Sequence, residues 1–355
     1  MVAAKKHQST CLVRSSINID QMFAVPHVVR PGETLSSTEM QSRPGGKGAN
    51  VSAAVALAGQ KVIMSGAVGK DAEWPIDELD SRGVKTDKIQ VFDSVPTGRA
   101  FIQVAKDGEN SIVLLKGANF YPNEQADDPK KVFDSCASSH SPITHLILQN
   151  EIPLETTKAF LHHAHQQRET RCISVFNPSP MLVEEEVRKF AWNEVDVLIV
   201  NEGEGEDLLK ALGTNAQGDV LDTLANVSQL KEVNYIVMTK GSRGSAAYVR
   251  PFKQDKSKVS QIQRTRIDVR ASKPKQVVDT TGAGDTFAGN LVAGLMRLHD
   301  DQGEVEANEK KAIEAAQEVL RWAGAAAAMA VEKNGAMESI PRFEDVQKRG
   351  KELLG

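Results

Sequence analysis

Val277-Val278-Asp279-Thr280-Thr281-Gly282-Ala283-Gly284-Asp285-Thr286-Phe287-Ala288-Gly289 carries more information than any other stretch of this chain. An apolar pair, placed to end a strand, runs into two glycines. Beyond Asp285, the residues Phe287, Leu291, Val292, Leu295 and Met296 recur at helical spacing, so Asp285 stands at or just inside a helix N-terminus. Gly282 and Gly284 bring no side-chain bulk, and the amides from Gly282 through Ala283 and Gly284 to Asp285 can turn toward a single anion. An anion cradle with a carboxylate beside it suits phosphoryl transfer to a hydroxyl. The amides hold the developing charge and Asp285 accepts the proton. These residues point to a kinase.

Outward from that motif, apolar runs alternate with helical patterns, the mark of a mostly parallel α/β sheet. Candidate strands are Val62–Met64, Leu146–Leu148, Cys172–Phe176, Val197–Val200 and Tyr235–Met238. Each leads into polar or glycine-bearing residues, and ligands of open α/β sheets lie off such carboxyl ends. Two early segments break the alternation. Residues 16–40 contain extended stretches around Pro26, Pro31 and Gly32. Residues 99–115 read as a hairpin about an Asp107-Gly108 turn. A β-rich insertion of this kind is placed to form a lid or an oligomer contact. The basic, Ser-rich stretch Arg250 to Gln276 reads as an exposed loop or extended ribbon. The alanine-rich run Ala323 to Ala330 permits close approach of a helix or of a flat ligand such as adenine.

Bulk properties narrow the class. The chain has 355 residues with 40% hydrophobic composition, enough for a full core; length alone suggests about two domains. Forty-three basic against 47 acidic residues give a formal charge of -4. That balance argues against nonspecific nucleic-acid or anionic-membrane binding. Cys11, Cys136 and Cys172 are widely spaced and form no Cys-x-x-Cys pair, so a reducing compartment is expected. Residues 1–10 lack the apolar centre of a signal peptide, and no apolar run reaches the ~18 residues of a membrane span. A cytoplasmic protein is the expectation.

Other constellations fit a kinase, each with a plainer reading beside it. Arg43-Pro44-Gly45-Gly46-Lys47-Gly48-Ala49-Asn50 precedes a helical stretch from Val51 to Ala58. It is no Walker A loop, since Gln41 replaces the first glycine and Ala49 the magnesium-holding hydroxyl. It can bring backbone, Lys47 and Asn50 against sugar hydroxyls, or be only a turn before a helix. Asn18 and Asp20 share one face of an alternating strand and can line a polyol pocket, or an ordinary half-exposed strand face. Asn201-Glu202-Gly203-Glu204 reads as a capping box, with Glu204 also a hard oxygen donor for magnesium, directly or through water. Thr239-Lys240-Gly241-Ser242-Arg243-Gly244 offers hydroxyls, glycines and cations to nucleotide phosphates, or forms a simple turn. His162, His163 and His165 lack ligand spacing and read as part of a solvent-exposed helix.

Taken together, these residues resemble the ribokinase-like (PfkB) sugar kinase family. The cluster at 44–50 is similar to its first signature, and Asp279 to Gly289 matches its second closely. The resemblance follows the chain in order through Asn18/Asp20, Glu151, Asn177-Pro178, Asn201–Glu204, Gly241–Gly244 and Lys333–Ser339. It implies a three-layer α/β sandwich with a small β-sheet lid, about 18–42 and 97–119, inserted into one kinase unit spanning 1–355. It further implies ATP-dependent phosphorylation of D-ribose at O5. Asn18, Asp20, Gly46, Lys47, Asn50, Glu151 and Asp285 would contact the sugar. Asn201, Thr239, Gly241, Ser242, Gly244, Gly282, Gly284 and Gly324 would contact ATP. Potassium would be held by Asp279, Thr281, Ala330, Lys333, Gly335 and Ser339, with Mg2+ near Glu204, and a homodimer through the lid stays open. Two departures stand out: Ser15 where the family has glycine, and Trp74-Pro75 where it starts a helix with small residues. A nucleoside, another sugar or a sugar acid remains the rival substrate, and a sugar-sensing protein without turnover the rival class.

Overall fold

Short strands that are apolar on both faces need helices on both sides, and that requirement shapes the molecule. The computed structural model describes residues 8–107, 109–167, 172–216, 218–252, 263–301 and 309–353. In chain order it runs β1 (Thr10–Arg14), β2 (Asn18–Val25), β3 (Glu39–Gly45), α1 (Lys47–Leu57), β4 (Lys61–Gly69), α2 (Trp74–Ser81), β5 (Lys85–Phe92), β6 (Gly98–Ala105) and β7 (Asn110–Leu115). There follow α3 (Pro129–Ser139), β8 (His145–Gln149), α4 (Leu154–Gln166), β9 (Ile173–Asn177), α5 (Glu184–Lys189), β10 (Val197–Asn201), α6 (Glu202–Ala211), α7 (Val220–Asn226), β11 (Tyr235–Thr239), β12 (Ser245–Val249) and β13 (Thr265–Val269). The last three elements are α8 (Ala283–Asp300), α9 (Glu309–Ala330) and α10 (Phe343–Leu353).

The main sheet has nine strands in the order β13-β12-β11-β10-β9-β8-β1-β4-β5. From β11 to β5 every pairing is parallel. β12 and β13 add antiparallel at one edge. Successive residues feed opposite layers. Cys11, Val13, Val62, Met64 and Ile147 pack with α1, α2, α8 and α9, whereas Leu12, Ile63, Leu146 and Leu148 pack with α3 to α7. The chain leaves β1 toward β4 on one side and reaches β8 on the other, so the topological switch point lies between β1 and β8. A second sheet, β3-β2-β6-β7, carries the lid. Its β6–β7 hairpin pairs Arg99 with Leu115 through Val104 with Asn110; Gly108 of the expected turn lies outside the described residues.

All five strands read from the sequence are present, but other expectations need correction. Val277-Val278 forms no strand: the two are 65% and 43% exposed, and the amides of Val278 and Asp279 both donate to the Val331 carbonyl. The peptide is thus pinned to the end of α9 instead of joining the sheet. α1 starts at Lys47, four residues before the expected Val51, because Lys47 and Asn50 form its first turn. In the Arg250 to Gln276 stretch, Thr265–Val269 is a sheet strand. Arg250 is buried, and its Nη2 donates to the carbonyls of Lys231 and Val233. Arg264 Nε donates to Val233 as well, so basic residues read as solvated instead cap buried carbonyls. Residues 253–262 of that stretch lie outside the described residues, as do 1–7 at the start.

His162 lies on α4 with Nδ1 2.6 Å from Glu194, a carboxylate partner the local sequence did not suggest. No group of His, Cys, Asp and Glu able to hold a metal occurs among the described residues. Pro75 sits in the first turn of α2, where its missing N–H costs nothing, so Trp74-Pro75 still opens a helix. Ala325 and Ala326 are covered by Val346 of α10, which settles the alanine run as a helix contact there. None of the three cysteines forms a disulfide, and all are buried. Among the described residues, no helix is long and apolar enough to cross a membrane.

Where α1 crosses α8, a Cβ on Gly289 would strike the Ala54 side chain and come within 2.9 Å of the Val51 carbonyl. Gly289→Ala is expected to destabilise the protein by about 1–3 kcal/mol despite alanine's better helix propensity. Urea denaturation with an unchanged m-value checks it.

Candidate functional site

The switch point is where the fold gathers polar side chains. Off the carboxyl end of β1, the Ser16 hydroxyl donates to Glu151, which stands just past the carboxyl end of β8. The same Glu151 oxygen accepts the Lys47 amide at 3.1 Å. Lys47 and Asn50 point inward because α1 begins at this place, and Asn50 Nδ2 donates to Asp285 Oδ2 at 2.8 Å. Asp285 is the third residue of α8 and only 8% exposed. On the lid side, Asn18 Oδ1 accepts from Asn119 Nδ2 at 2.7 Å, and Asn119 also holds the Ile17 amide. Gly46 packs its Cα against the Asn18 amide: a Cβ there would come within 2.7 Å of it. Asn18, Asp20, Gly46, Lys47, Asn50, Glu151 and Asp285, far apart in sequence, thus line one place.

Its electrostatics are crowded. Burial pushes the Asp285 carboxyl up, Lys47 and Asn50 pull it down, and Glu151 and Glu204 add to the rise; the net shift is upward. For Lys47, burial favours the neutral amine, but Asp285, Glu151 and Glu204 outweigh it and hold the cation more firmly. Asp20 is raised to about 7, first by burial and then by the charges of Glu151, Asp285 and Glu338. Among the described residues no donor reaches the Asp20 carboxylate, and the buried Asn50 Oδ1 also lacks a partner. Acidic groups outnumber the Lys47 cation there.

The anion turn is shaped by Gly282. Its φ is 75°, left-handed, and a Cβ would approach the Ala336 Cα to 2.7 Å, so glycine is required on both grounds. The Ala283 amide makes a long contact to the Thr280 carbonyl at 3.3 Å. Among the described residues, the amides of Gly282, Gly284 and Asp285 have no acceptor, and the space over Gly284 is open. A helix N-terminus with free amides beside a buried carboxylate is what the sequence led us to expect.

Asn201 and Thr239 are register partners at the adjacent carboxyl ends of β10 and β11. The capping box forms as read: the Glu204 amide donates to Asn201 Oδ1 at 2.8 Å, and Glu204 Oε2 accepts the Asn201 amide at 2.9 Å. Gly241, Ser242 and Gly244 make the turn from β11 to β12, with Gly241 and Ser242 exposed. Gly324 lies on α9 with open space where a side chain would be. Glu204 connects this ledge to the buried cluster through its charge on Lys47 and Asp285.

A third group surrounds Asp279. Its Oδ1 accepts the Thr281 amide and its Oδ2 the Gly335 amide, each at 2.9 Å. Burial raises this carboxyl, yet the Thr281 and Gly335 donors and the Arg43 charge hold it below the ordinary range. The Lys333 amide closes a turn on Ala330, and the buried Ser339 hydroxyl donates to the Ala336 carbonyl. The sequence reading missed Ser16, Arg43 and Glu338 and gave Asn119 no role beyond ending the lid segment. Only Ser16 left a signal, its place in the alternating stretch that carries Asn18 and Asp20.

A family model described as pfkB family carbohydrate kinase matches residues 8–342, and the chain belongs to that family. It is similar to the ribokinase of Haemophilus influenzae, with 32% identity over 341 residues, 95% of this chain and 97% of the relative. Among solved structures it is similar to ribokinase from Cryptococcus neoformans var. grubii serotype A in complex with ADP. That likeness has 40% identity and a TM-score of 0.78, covering 96% of this chain and 99% of the other. Arabidopsis thaliana ribokinase complexed with ribose and ATP follows at 26% identity and a TM-score of 0.74, covering 96% and 98%.

Asp20 gives a pH signature. Its carboxyl is raised in the folded protein to about 7, against ~3.9 when unfolded. Between those values the folded state binds the extra proton, so stability falls as pH rises from about 4 to about 7 and levels off above. Asp20→Asn is expected to flatten that fall, read from melting temperatures at pH 5 and pH 8.

Proposed function

We propose that this carbohydrate kinase transfers the γ-phosphoryl group of ATP to O5 of D-ribose, giving D-ribose 5-phosphate. The observation that carries the substrate class is a set of unengaged polar groups: Asp20 and Asn50 Oδ1 lack donors in a place that also holds Lys47 and the carboxylates of Glu151, Asp285, Glu204 and Glu338. A polyhydroxyl ligand supplies those donors, and Asn18, Gly46, Lys47 and Glu151 complete its contacts. The relatives named above support ribose in particular.

Asp285 orients the 5-hydroxyl and takes its proton as transfer proceeds. Burial raises its basicity, which strengthens it as a proton acceptor. The amides of Gly282, Ala283, Gly284 and Asp285, at the positive end of α8, stabilise charge on the migrating group. Phosphoryl transfer has a loose transition state, so positioning and charge account for most of the catalysis. The lid, residues 18–45 with 98–115, closes over the sugar and excludes water, the competing acceptor. Nucleotide binding falls to Asn201, Thr239, Gly241, Ser242, Gly244 and Gly324, along the ends of β10 and β11.

Two ions fit the residues present. Glu204 spends one carboxylate oxygen on its helix cap and keeps the other, which suits Mg2+ held through water. Asp279 and Thr281 are tied to the segment 330–339 through the Gly335 amide, and the oxygens of Asp279, Thr281, Ala330, Lys333, Gly335 and Ser339 would hold K+ there. Bound there, the cations supply positive charge next to the transferring group. The exposed Ile112, Val113 and Leu114 on edge strand β7 support a homodimer through the lid. The three cysteines without a disulfide suit a cytoplasmic setting.

Asp285→Ala is expected to lower turnover ~10²–10⁴-fold with the fold intact. An ADP-release assay over ribose, deoxyribose, fructose and adenosine tests substrate and mechanism together. Preference for a nucleoside or a ketose overturns ribose, and full turnover by the variant overturns the base.

A further inference from the structure

Arg43 is a residue that neither the sugar contacts nor the nucleotide contacts employ. It leaves β3 directly across from Asp20 of β2, yet its guanidinium is directed at the body of the protein. Nη2 donates to Gln41 at 2.8 Å. Nη1 lies 2.5 Å from the point a Cβ on Gly335 would occupy, and Glu338 Oε2 lies 2.6 Å from the same point. Gly335 has φ 88°, so a side chain there is excluded by backbone conformation as well as by Arg43.

Gly335 in turn donates its amide to Asp279, whose other oxygen holds the Thr281 amide just before the anion turn. The Arg43 charge also acts on Asp279, and the Glu338 charge acts on Asp20. A cation from the lid and an anion from the body therefore flank one glycine turn. From there a continuous run of contacts leads to Gly282. A planar guanidinium fits over a bare glycine Cα where a bulkier body residue would leave no room.

We propose that Arg43 is a positioning residue for the kinase reaction. It docks strand β3 of the lid onto the Gly335 turn, with Glu338 as countercharge, and so couples sugar bound under the lid to the set of the 279–285 turn. This rests on the sugar-kinase reading for its kinetic consequence only; the docking itself is a property of the unliganded protein.

The test uses full-length wild type, Arg43→Ala, Arg43→Lys, Glu338→Gln and the double variant Arg43→Ala/Glu338→Gln. In Arg43→Ala the sugar KM is expected to rise about 5- to 10-fold with a smaller fall in kcat, the pattern of lost binding in ground and transition state alike. ATP hydrolysis without sugar should increase relative to sugar phosphorylation, because the lid seals less well. Arg43→Lys should recover part of the KM, and Glu338→Gln should add little once Arg43 is gone. Hydrogen exchange on the unliganded protein gives a reading that needs no substrate. Amides of 39–45 and 335–339 should exchange faster together in Arg43→Ala while the melting temperature stays close to wild type. Unchanged exchange in either segment, or an unchanged sugar KM, overturns the proposal. Independent, multiplying effects of the two single variants also overturn it. A wild type that phosphorylates no sugar defeats the functional reading instead, and the exchange measurement still decides the docking.

Discussion

The site depends on one half-buried cation set among several carboxylates. Lys47 lies within electrostatic reach of Asp285, Glu151 and Glu204. Without that cation, Asp285 would feel burial and two like charges with only Asn50 to offset them. Burial and the neighbouring carboxylates raise the basicity of Asp285, and Lys47 limits that rise. Asn50 and Lys47 sit on the same helical turn, so the packing of α1 against α8 sets both partners of the Asp285 carboxylate at once.

The topology explains why these groups meet. The chain reverses its direction of growth between β1 and β8, and the loops leaving both strands open a crevice there. Ser16 and Glu151 bridge that crevice. Lid strand β2 follows β1 after three residues, so Asn18 and Asp20 are delivered to the mouth of the crevice by the shortest possible connection. The helix carrying Asp285 lies on the same layer as α1, which brings the late motif to the early one.

Much of this was legible before any coordinates. The alternation of apolar runs gave the sheet, and the glycines around Asp285 gave the helix start there, because both are local patterns with strong steric causes. The Asn201–Glu204 capping box was equally local and formed as read. What the sequence hid is long-range. Val277-Val278 looks like a strand end, but its amides are claimed by Val331, more than fifty residues later. The basic stretch around Arg250 and Arg264 looks solvated, but those guanidinium groups satisfy carbonyls of a distant loop. Arg43 and Glu338 have no local pattern at all; they matter only because Gly335 lies between them. Asn119 likewise declares nothing until it is seen holding Asn18 and Ile17.

The Asp279 carboxylate binds one amide just before the turn that opens α8 and another at Gly335, more than fifty residues later. During synthesis, a nascent polypeptide still lacking Gly335 has every strand of the sheet and the whole of α8, yet that carboxylate has only half its donors. The anion turn also lacks Ala336, the backbone on which Gly282 rests. The turn that opens α8 therefore takes its final shape only once residues more than fifty positions later have folded back onto it.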